Sequence, residues 1–181
     1  MTRFNTVSPE EATGRTKELF AAIESKLGVV PNMMRTMANS TALLEGYLNL
    51  SGALATGSIN AKTGELIAIT VAENNHCDYC LSAHHFIGAN LLKIDDTALS
   101  AARKARSTDP KTETILQFAK TLITKNGMVS DADVDIVKQA GVTEAQIGEI
   151  VGHVALNILT NYFNNTAKTE IDFPVYQVAA V

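Results

Sequence analysis

The two cysteines of this 181-residue chain lie three positions apart, in Cys77-Asp78-Tyr79-Cys80. His84 follows Cys80 by about one helical turn, and Glu65 lies twelve positions before Cys77. A thiol pair, an imidazole and a carboxylate are the groups that a redox-active dithiol with its own acid–base catalysis requires. We therefore predict thiol redox chemistry at these four residues.

The local setting of the motif favours a reactive thiolate. A helix beginning at Cys77 places Cys80 in its first turn, where unpaired N–H groups and the positive end of the helix dipole stabilise an anion. Such settings lower a thiol pKa from about 8.5 into a range of about 3.5 to 7.5. Cys80 and His84 share a helix face at i and i+4, so we expect their side chains to meet directly or through one water. Glu65, on the preceding helix, is expected to orient the imidazole or to accept its proton.

Other roles for the motif stay open at this point. A structural disulfide is one, although closing so small a loop removes little chain entropy. A zinc site is another, in which His84 and Glu65 would complete a ligand set that lacks a second CxxC. Haem attachment requires a histidine directly after the second cysteine, where Leu81 stands. Glu65 and His84 taken singly would be ordinary helix residues, and only the set of four favours a functional site.

A polar stripe recurs along the last predicted helix, which is otherwise apolar. Its members are His153, Asn157, Asn161 and Asn164. We expect the stripe to face a cavity or a subunit contact, and structural hydrogen bonding is a simpler role for it than catalysis.

Length and composition fit one globular domain. A chain of this size buries about 70% of the surface that its unfolded form exposes, so it needs no disulfide for stability. The net charge of −4 argues against a nucleic-acid partner. Residues 1–20 lack the apolar segment of a secretory signal, and no apolar run approaches the about 18 residues that span a bilayer. We therefore expect a soluble, cytoplasmic protein without a membrane partner, in which a lone CxxC is catalytic, redox-sensing or metal-binding rather than a structural staple.

Helix signals run from end to end. A cap, a proline and a capping-box glutamate predict that the first helix begins at Ser8-Pro9-Glu10-Glu11, and Gly28 is its predicted C-cap. Further helices are predicted to begin near Pro31, Ser40, Asn60, Cys77, Asp95, Asp109, Ser130 and Thr143.

The predicted architecture is an all-α single domain over residues 1–181, with about eight or nine helices. The last helix is predicted to end near Asn164. Ile171 to Val181 is β-branched and contains Pro174, so it is predicted to form an extended arm against a neighbouring subunit. The core motif region covers residues 40–125, and the C-terminal arm covers residues 165–181.

The arrangement Glu65-x11-Cys77-x2-Cys80-x3-His84 resembles the signature of the alkyl hydroperoxidase D-like (AhpD-like) proteins of the carboxymuconolactone decarboxylase superfamily. The neighbouring Gly64-Glu65-Leu66-Ile67-Ala68 and Asn74-Asn75-His76 resemble that family too. The ending, Asn161-Tyr162-Phe163-Asn164 followed by Ile171-Asp172-Phe173-Pro174, is similar to a redox-active subgroup of about this length. The resemblance is strongest over residues 40–125.

The resemblance implies an all-helical AhpD-like fold that assembles as a homo-trimer or homo-hexamer. It also implies a thiol-dependent peroxidase that reduces organic hydroperoxides, with no cofactor and no metal. Cys80 would be the peroxidatic thiolate that is oxidised to a sulfenic acid, and Cys77 would resolve it to a disulfide. Glu65 and His84 would form the proton relay. The implied partners are a hydroperoxide substrate and an external dithiol reductant or peroxiredoxin partner.

Other functions remain as alternatives. A thiol–disulfide oxidoreductase or adaptor would use the same dithiol without strong peroxidase activity. The best-known AhpD proteins have a histidine just before the second cysteine, where this chain has Tyr79, which bears on the reductant and on efficiency with peroxide. Decarboxylation of a lactone acid requires a proton donor but no dithiol, and a zinc-stabilised binding protein would belong to a different class altogether.

Overall fold

The computed structural model describes residues 2–179, and every regular element within them is an α-helix. The nine helices of this part of the chain are α1 Gly14–Leu27, α2 Asn32–Met37, α3 Thr41–Leu54, α4 Ala61–Asn74, α5 Asp78–Asn90, α6 Asp96–Ala102, α7 Pro110–Thr124, α8 Asp131–Gln139 and α9 Glu144–Ala167. The predicted all-α fold with eight or nine helices is confirmed.

Side-chain caps explain most of the helix starts. The capping residue accepts a hydrogen bond from a first-turn N–H group that would otherwise have no partner within the helix. The predicted caps that do so are Ser40, Asn60, Asp95, Asp109, Ser130 and Thr143. At the other end of α1, Gly28 has a φ of +76°, a left-handed conformation that glycine adopts without a steric penalty.

Two predicted helix ends are wrong. The first helix begins at Gly14 rather than at Ser8, because residues 8–12 form only one turn, closed by the Ala12 N–H group on the Ser8 carbonyl at 3.1 Å. Gly14 then has a φ of +52°, outside the right-handed helical region, so the turn cannot continue into α1. At the other end, α9 continues to Ala167, and the first three residues of the predicted arm 165–181 are helical.

The central element is α4, which positions Glu65. Eight of its 14 residues are buried, including Ile67, Ile69 and Val71. Helices α5, α7 and α9 pack around it. A helix buried on several sides has little freedom to shift, so the groups that it carries are held in fixed positions.

The C-terminal segment, residues 171–179, lies across α5 of its own chain. Ser82 Oγ donates to the Tyr176 carbonyl at 3.2 Å and accepts from the Tyr176 N–H group at 2.9 Å. The Tyr176 ring stacks on His85 with ring centres 3.5 Å apart, and Phe173 packs against Tyr79. Side chains on α5 of the same chain hold the segment, and its expected contact with a neighbouring subunit stays a prediction. Residues 180 and 181 of the predicted arm lie outside the described residues.

Within residues 2–179, no helix combines the length and the apolar character needed to cross a membrane. The expected homo-trimer or homo-hexamer stays a prediction.

Phe173 supplies a direct test of the contact between the C-terminal segment and α5. Replacing Phe173 with Ala should lower the free energy of unfolding by about 1–3 kcal/mol, because it removes apolar burial and two aromatic contacts, with Tyr79 and Phe86. Urea unfolding followed by circular dichroism measures the change. Val175→Ala is the matched control, since Val175 is 62% exposed and its loss should change stability by less than about 0.5 kcal/mol. Equal stability of the two variants would show that the segment does not pack on α5.

Candidate active site

The dithiol lies at the turn between α4 and α5. His76 has a φ of +52°, and the Cys77 N–H group returns to the Ala72 carbonyl at 3.0 Å, which ends α4. Cys77 is the N-cap of α5, where its sulfur accepts the Cys80 N–H group at 3.2 Å. The motif therefore stands at a helix start, as its sequence predicts.

Cys77 and Cys80 form a disulfide, with their Cα atoms 5.3 Å apart. Both residues are buried, but they differ in what they border. Cys80 lines a cavity that Glu65 and His84 also line, and Cys77 is fully buried and is not part of its wall. A substrate in the cavity would therefore meet the sulfur of Cys80 first.

Glu65 and His84 form the pair that their spacing predicts. Glu65 Oε1 lies 2.7 Å from His84 Nδ1, across the contact between α4 and α5. Both side chains are largely buried, with 13% of Glu65 and 23% of His84 exposed. Burial acts to lower the pKa of His84, but the charge and hydrogen bond of Glu65, with a further contribution from the Asn157 side chain, outweigh it and raise that pKa above its ordinary value. The imidazole is thus poised to hold a proton.

The polar stripe of α9 faces the same site. Asn164 Nδ2 donates to Cys80 Sγ at 3.3 Å, and Asn157 lines the same cavity as His84 and helps to raise the pKa of that imidazole. Asn161 Oδ1 accepts from Asn75 Nδ2 at 3.0 Å, so this member of the stripe fixes the turn before the dithiol. His153 borders the cavity. The expectation that the stripe faces a cavity is correct, but the sequence did not connect Asn157 and Asn164 to the two reactive groups.

The predicted pair of Cys80 and His84 is not joined by a hydrogen bond in the described residues. The sulfur contacts Asn164, and the imidazole contacts Glu65. The predicted meeting of the two side chains, directly or through one water, therefore stays a prediction for the reduced protein.

The cavity has a volume of about 580 Å³ and mostly apolar walls. Its apolar side chains come from several helices and from the C-terminal segment, and include Met33, Leu54, Ile87, Leu156 and Phe173. Exposed side chains at its border include Leu27, Val29 and Leu91. The site is large and apolar enough to enclose an organic molecule.

Two tyrosines border the cavity as neutral phenols. Burial, with the Glu65 charge, raises the pKa of Tyr47 to about 12, so this phenol keeps its proton at neutral pH. Burial also raises the pKa of Tyr79, whose hydroxyl accepts from the Met33 N–H group at 3.0 Å and donates to Asp172 at 2.9 Å. Tyr79 therefore ties α2 and the C-terminal segment to the motif, and its hydroxyl is not directed to the cysteines.

Among residues 2–179, no group of three or more His, Cys, Asp and Glu side chains is arranged to hold a metal ion.

Comparison with known proteins agrees with this geometry. Residues 41–90, which contain the dithiol, Glu65 and His84, match the carboxymuconolactone decarboxylase family. No curated protein matches the chain.

Solved structures share the fold over nearly the whole chain. One, described as an alkylhydroperoxidase AhpD core and an uncharacterized peroxidase-related protein from Ralstonia eutropha JMP134, has a TM-score of 0.85 and 20% identity, covering 94% of this chain and 92% of its own. A peroxidase-related protein from Silicibacter sp. TM1040 has a TM-score of 0.81 and 21% identity, covering 93% and 91%. A cysteine-to-alanine variant of the debrominase Bmp8, in complex with 2,3,4-tribromopyrrole, has a TM-score of 0.80 and 19% identity, covering 95% and 92%. The predicted resemblance to the carboxymuconolactone decarboxylase family is confirmed over residues 41–90, and the predicted AhpD-like fold is confirmed by the shared architecture.

The Glu65–His84 pair predicts a specific pH dependence. Because folding raises the pKa of His84, the pair should stabilise the protein fully below the ordinary histidine pKa of about 6.5, and this contribution should fade as pH rises through the higher pKa of the folded state. Glu65→Gln should lower the pKa of His84 and remove this pH dependence. NMR titration of the ring C–H signals, assigned with His84→Gln, measures the shift. Glu73→Gln is the matched control, since Glu73 lies on the same helix but pairs with Arg103. If Glu73→Gln changes the pKa of His84 as much as Glu65→Gln does, Glu65 is not the group that raises this pKa.

Proposed function

We propose that this chain is a thiol-dependent peroxidase that reduces organic hydroperoxides with Cys77 and Cys80 and is recycled by an external dithiol. The observation that carries the proposal is the pair of cysteines in disulfide contact, one of which borders an apolar cavity that Glu65 and His84 share. A reacting sulfur, a proton donor and space for an organic group thus lie in one place.

In the first step, the Cys80 thiolate attacks the terminal oxygen of the hydroperoxide. A sulfur–oxygen bond forms and the oxygen–oxygen bond breaks, which leaves Cys80 as a sulfenic acid and releases an alkoxide. The alkoxide takes a proton from His84, directly or through water. Glu65 favours the protonated imidazole before the step, because its carboxylate lies 2.7 Å away.

In the second step, the Cys77 sulfur attacks the Cys80 sulfur, and the leaving hydroxide takes the proton of the Cys77 thiol and departs as water. The product is the Cys77–Cys80 disulfide, which is the state that the structure contains. An external dithiol then reduces this disulfide by exchange and is itself oxidised. A reducing compartment such as the cytoplasm would supply that reductant, and a peroxiredoxin partner is an alternative dithiol source.

The cavity favours organic substrates over hydrogen peroxide. Its apolar walls offer burial to an alkyl or aryl group, and that binding energy holds the reacting oxygen near Cys80. A dithiol oxidoreductase or adaptor would need no such cavity, although the same disulfide exchange is open to it.

Reductive dehalogenation is a second candidate function. The cavity has room for an aromatic ring, and the neutral Tyr47 phenol lines it as a proton donor. In this reaction the two thiols reduce an aryl bromide. The products are the ring with hydrogen in place of bromine, a bromide ion, a proton and the Cys77–Cys80 disulfide. A structural neighbour is a debrominase, which motivates this candidate although the identity of 19% supports only a shared fold. Bromide release from a bromopyrrole, without consumption of an alkyl hydroperoxide, would favour it over the peroxidase.

Single-turnover oxidation of the reduced protein by an alkyl hydroperoxide tests the peroxidase and the two cysteine roles together. Mass spectrometry should find one intramolecular disulfide and one equivalent of alcohol. Cys77→Ser should still form a sulfenic acid that a dimedone probe traps, because Cys80 borders the cavity. Cys80→Ser should form none. The reverse pattern would exchange the two roles, and two thiols that survive the oxidant in folded protein would exclude the peroxidase.

Glu65→Gln and His84→Gln should each slow the oxidation of Cys80. General acid–base assistance is worth about 100- to 10,000-fold, so stopped-flow rates should fall by that order while circular dichroism shows an unchanged fold. His85→Gln is the matched control on the same helix, because His85 stacks on Tyr176 and is not part of the cavity wall. A His84→Gln rate equal to that of the His85→Gln control would show that His84 has only a structural role.

A further inference from the structure

Asn164 is the side chain that the structure gives Cys80 as a hydrogen-bond partner. Its Nδ2 atom lies 3.3 Å from Cys80 Sγ, and both residues are 2% exposed. Among the described residues, Asn164 Oδ1 is buried without a partner of its own. A buried amide whose oxygen accepts no hydrogen bond lowers the stability of the folded protein. The contact of this amide with the sulfur therefore calls for a functional explanation.

The position of Asn164 is fixed by the residues on either side of it. Asn75 Nδ2 donates to Asn161 Oδ1 at 3.0 Å, and Asn165 Nδ2 donates to the Asn75 carbonyl at 3.0 Å. Both hydrogen bonds join α9 to the turn that precedes Cys77. The register of α9 against this turn therefore brings Asn164 to the sulfur of Cys80.

Two other donors near the dithiol are already engaged. The first-turn N–H group of Cys80 is directed to Cys77 Sγ, and the His84 imidazole contacts Glu65. Burial alone would disfavour a thiolate at Cys80, and a hydrogen bond to the charged form acts in the opposite direction. After reduction of the disulfide, the Asn164 amide is the donor in place to supply that hydrogen bond.

We propose that Asn164 is a catalytic residue whose amide N–H group stabilises the Cys80 thiolate and thereby keeps this cysteine reactive at neutral pH. The amide neither gains nor loses a proton, so it contributes through the hydrogen bond alone. This proposal rests on the proposed function only in that Cys80 is the attacking thiol.

The test is the pKa of Cys80, measured in a Cys77→Ser background so that one thiol is present. The pH dependence of alkylation by iodoacetamide gives that pKa without any peroxide. Asn164→Leu has a similar volume and no donor, so it should raise the pKa by about 1–2 units, equivalent to a 10- to 100-fold loss of thiolate at a pH below both values. Its alkylation rate should recover toward that of the parent at high pH, which a general loss of structure would not produce.

Val154→Ala separates this effect from simple loss of stability. Val154 is buried on the same helix, so its truncation should destabilise the protein and leave the pKa of Cys80 unchanged. Asn164→Ala serves as a second variant without a donor, in case the leucine does not fold. An unchanged pKa in whichever of these two variants folds would overturn the proposal.

The two proposals fail separately. A raised Cys80 pKa in the Asn164 variants supports the role of Asn164 even if the unmodified chain does not reduce hydroperoxides. An unchanged pKa overturns that role even if the unmodified chain is an active peroxidase.

Discussion

The close packing of α5 on α4 is the constraint on which the site depends. Glu65 and His84 meet across this contact at 2.7 Å. Gly88, one turn after His84, packs against α6: a Cβ atom there would lie 2.6 Å from Leu99 Cδ2, so a larger residue would require the Leu99 side chain to shift. Because α5 also carries both cysteines, the same packing sets the distance between the acid–base pair and the dithiol.

Two further elements hold α5 from its other sides. Helix α9 holds α5 through the hydrogen bond from Asn164 to the Cys80 sulfur, and the C-terminal segment is hydrogen-bonded to α5 through Ser82 and Asp78. Catalytic groups held by packed helices are placed more precisely than groups on loops, because their supporting contacts are buried. The dithiol thus lies in a helix start that contacts with neighbouring elements hold in place, although it directly follows a turn.

The electrostatics of the site follow from its burial. The Glu65 carboxylate favours a proton on His84, and burial, together with the Glu65 charge, raises the pKa of Tyr47 and keeps this phenol neutral, so proton donors border an otherwise apolar cavity. In such a site a charge that develops on a leaving group is met by donors already in place, since little water is available to reorganise. This combination suits a reaction in which charge develops on a leaving group inside an apolar cavity.

The sequence by itself determined the helices and the chemistry that is local to them. Polar caps at Ser40 and Asn60 fix helix starts through contacts within four residues, and the Cys77–Cys80 spacing allows a disulfide wherever that helix lies. Even the Glu65–His84 pair follows from two helices joined by a short turn. Tertiary structure alone decided which groups reach the sulfur. Asn164 is 84 residues from Cys80, and the hydrophobic pattern of the sequence does not predict how α9 is aligned against α5. It also decided that the C-terminal segment folds onto its own chain, since the anchors are side chains of α5 whose exposure depends on the packing of the whole bundle.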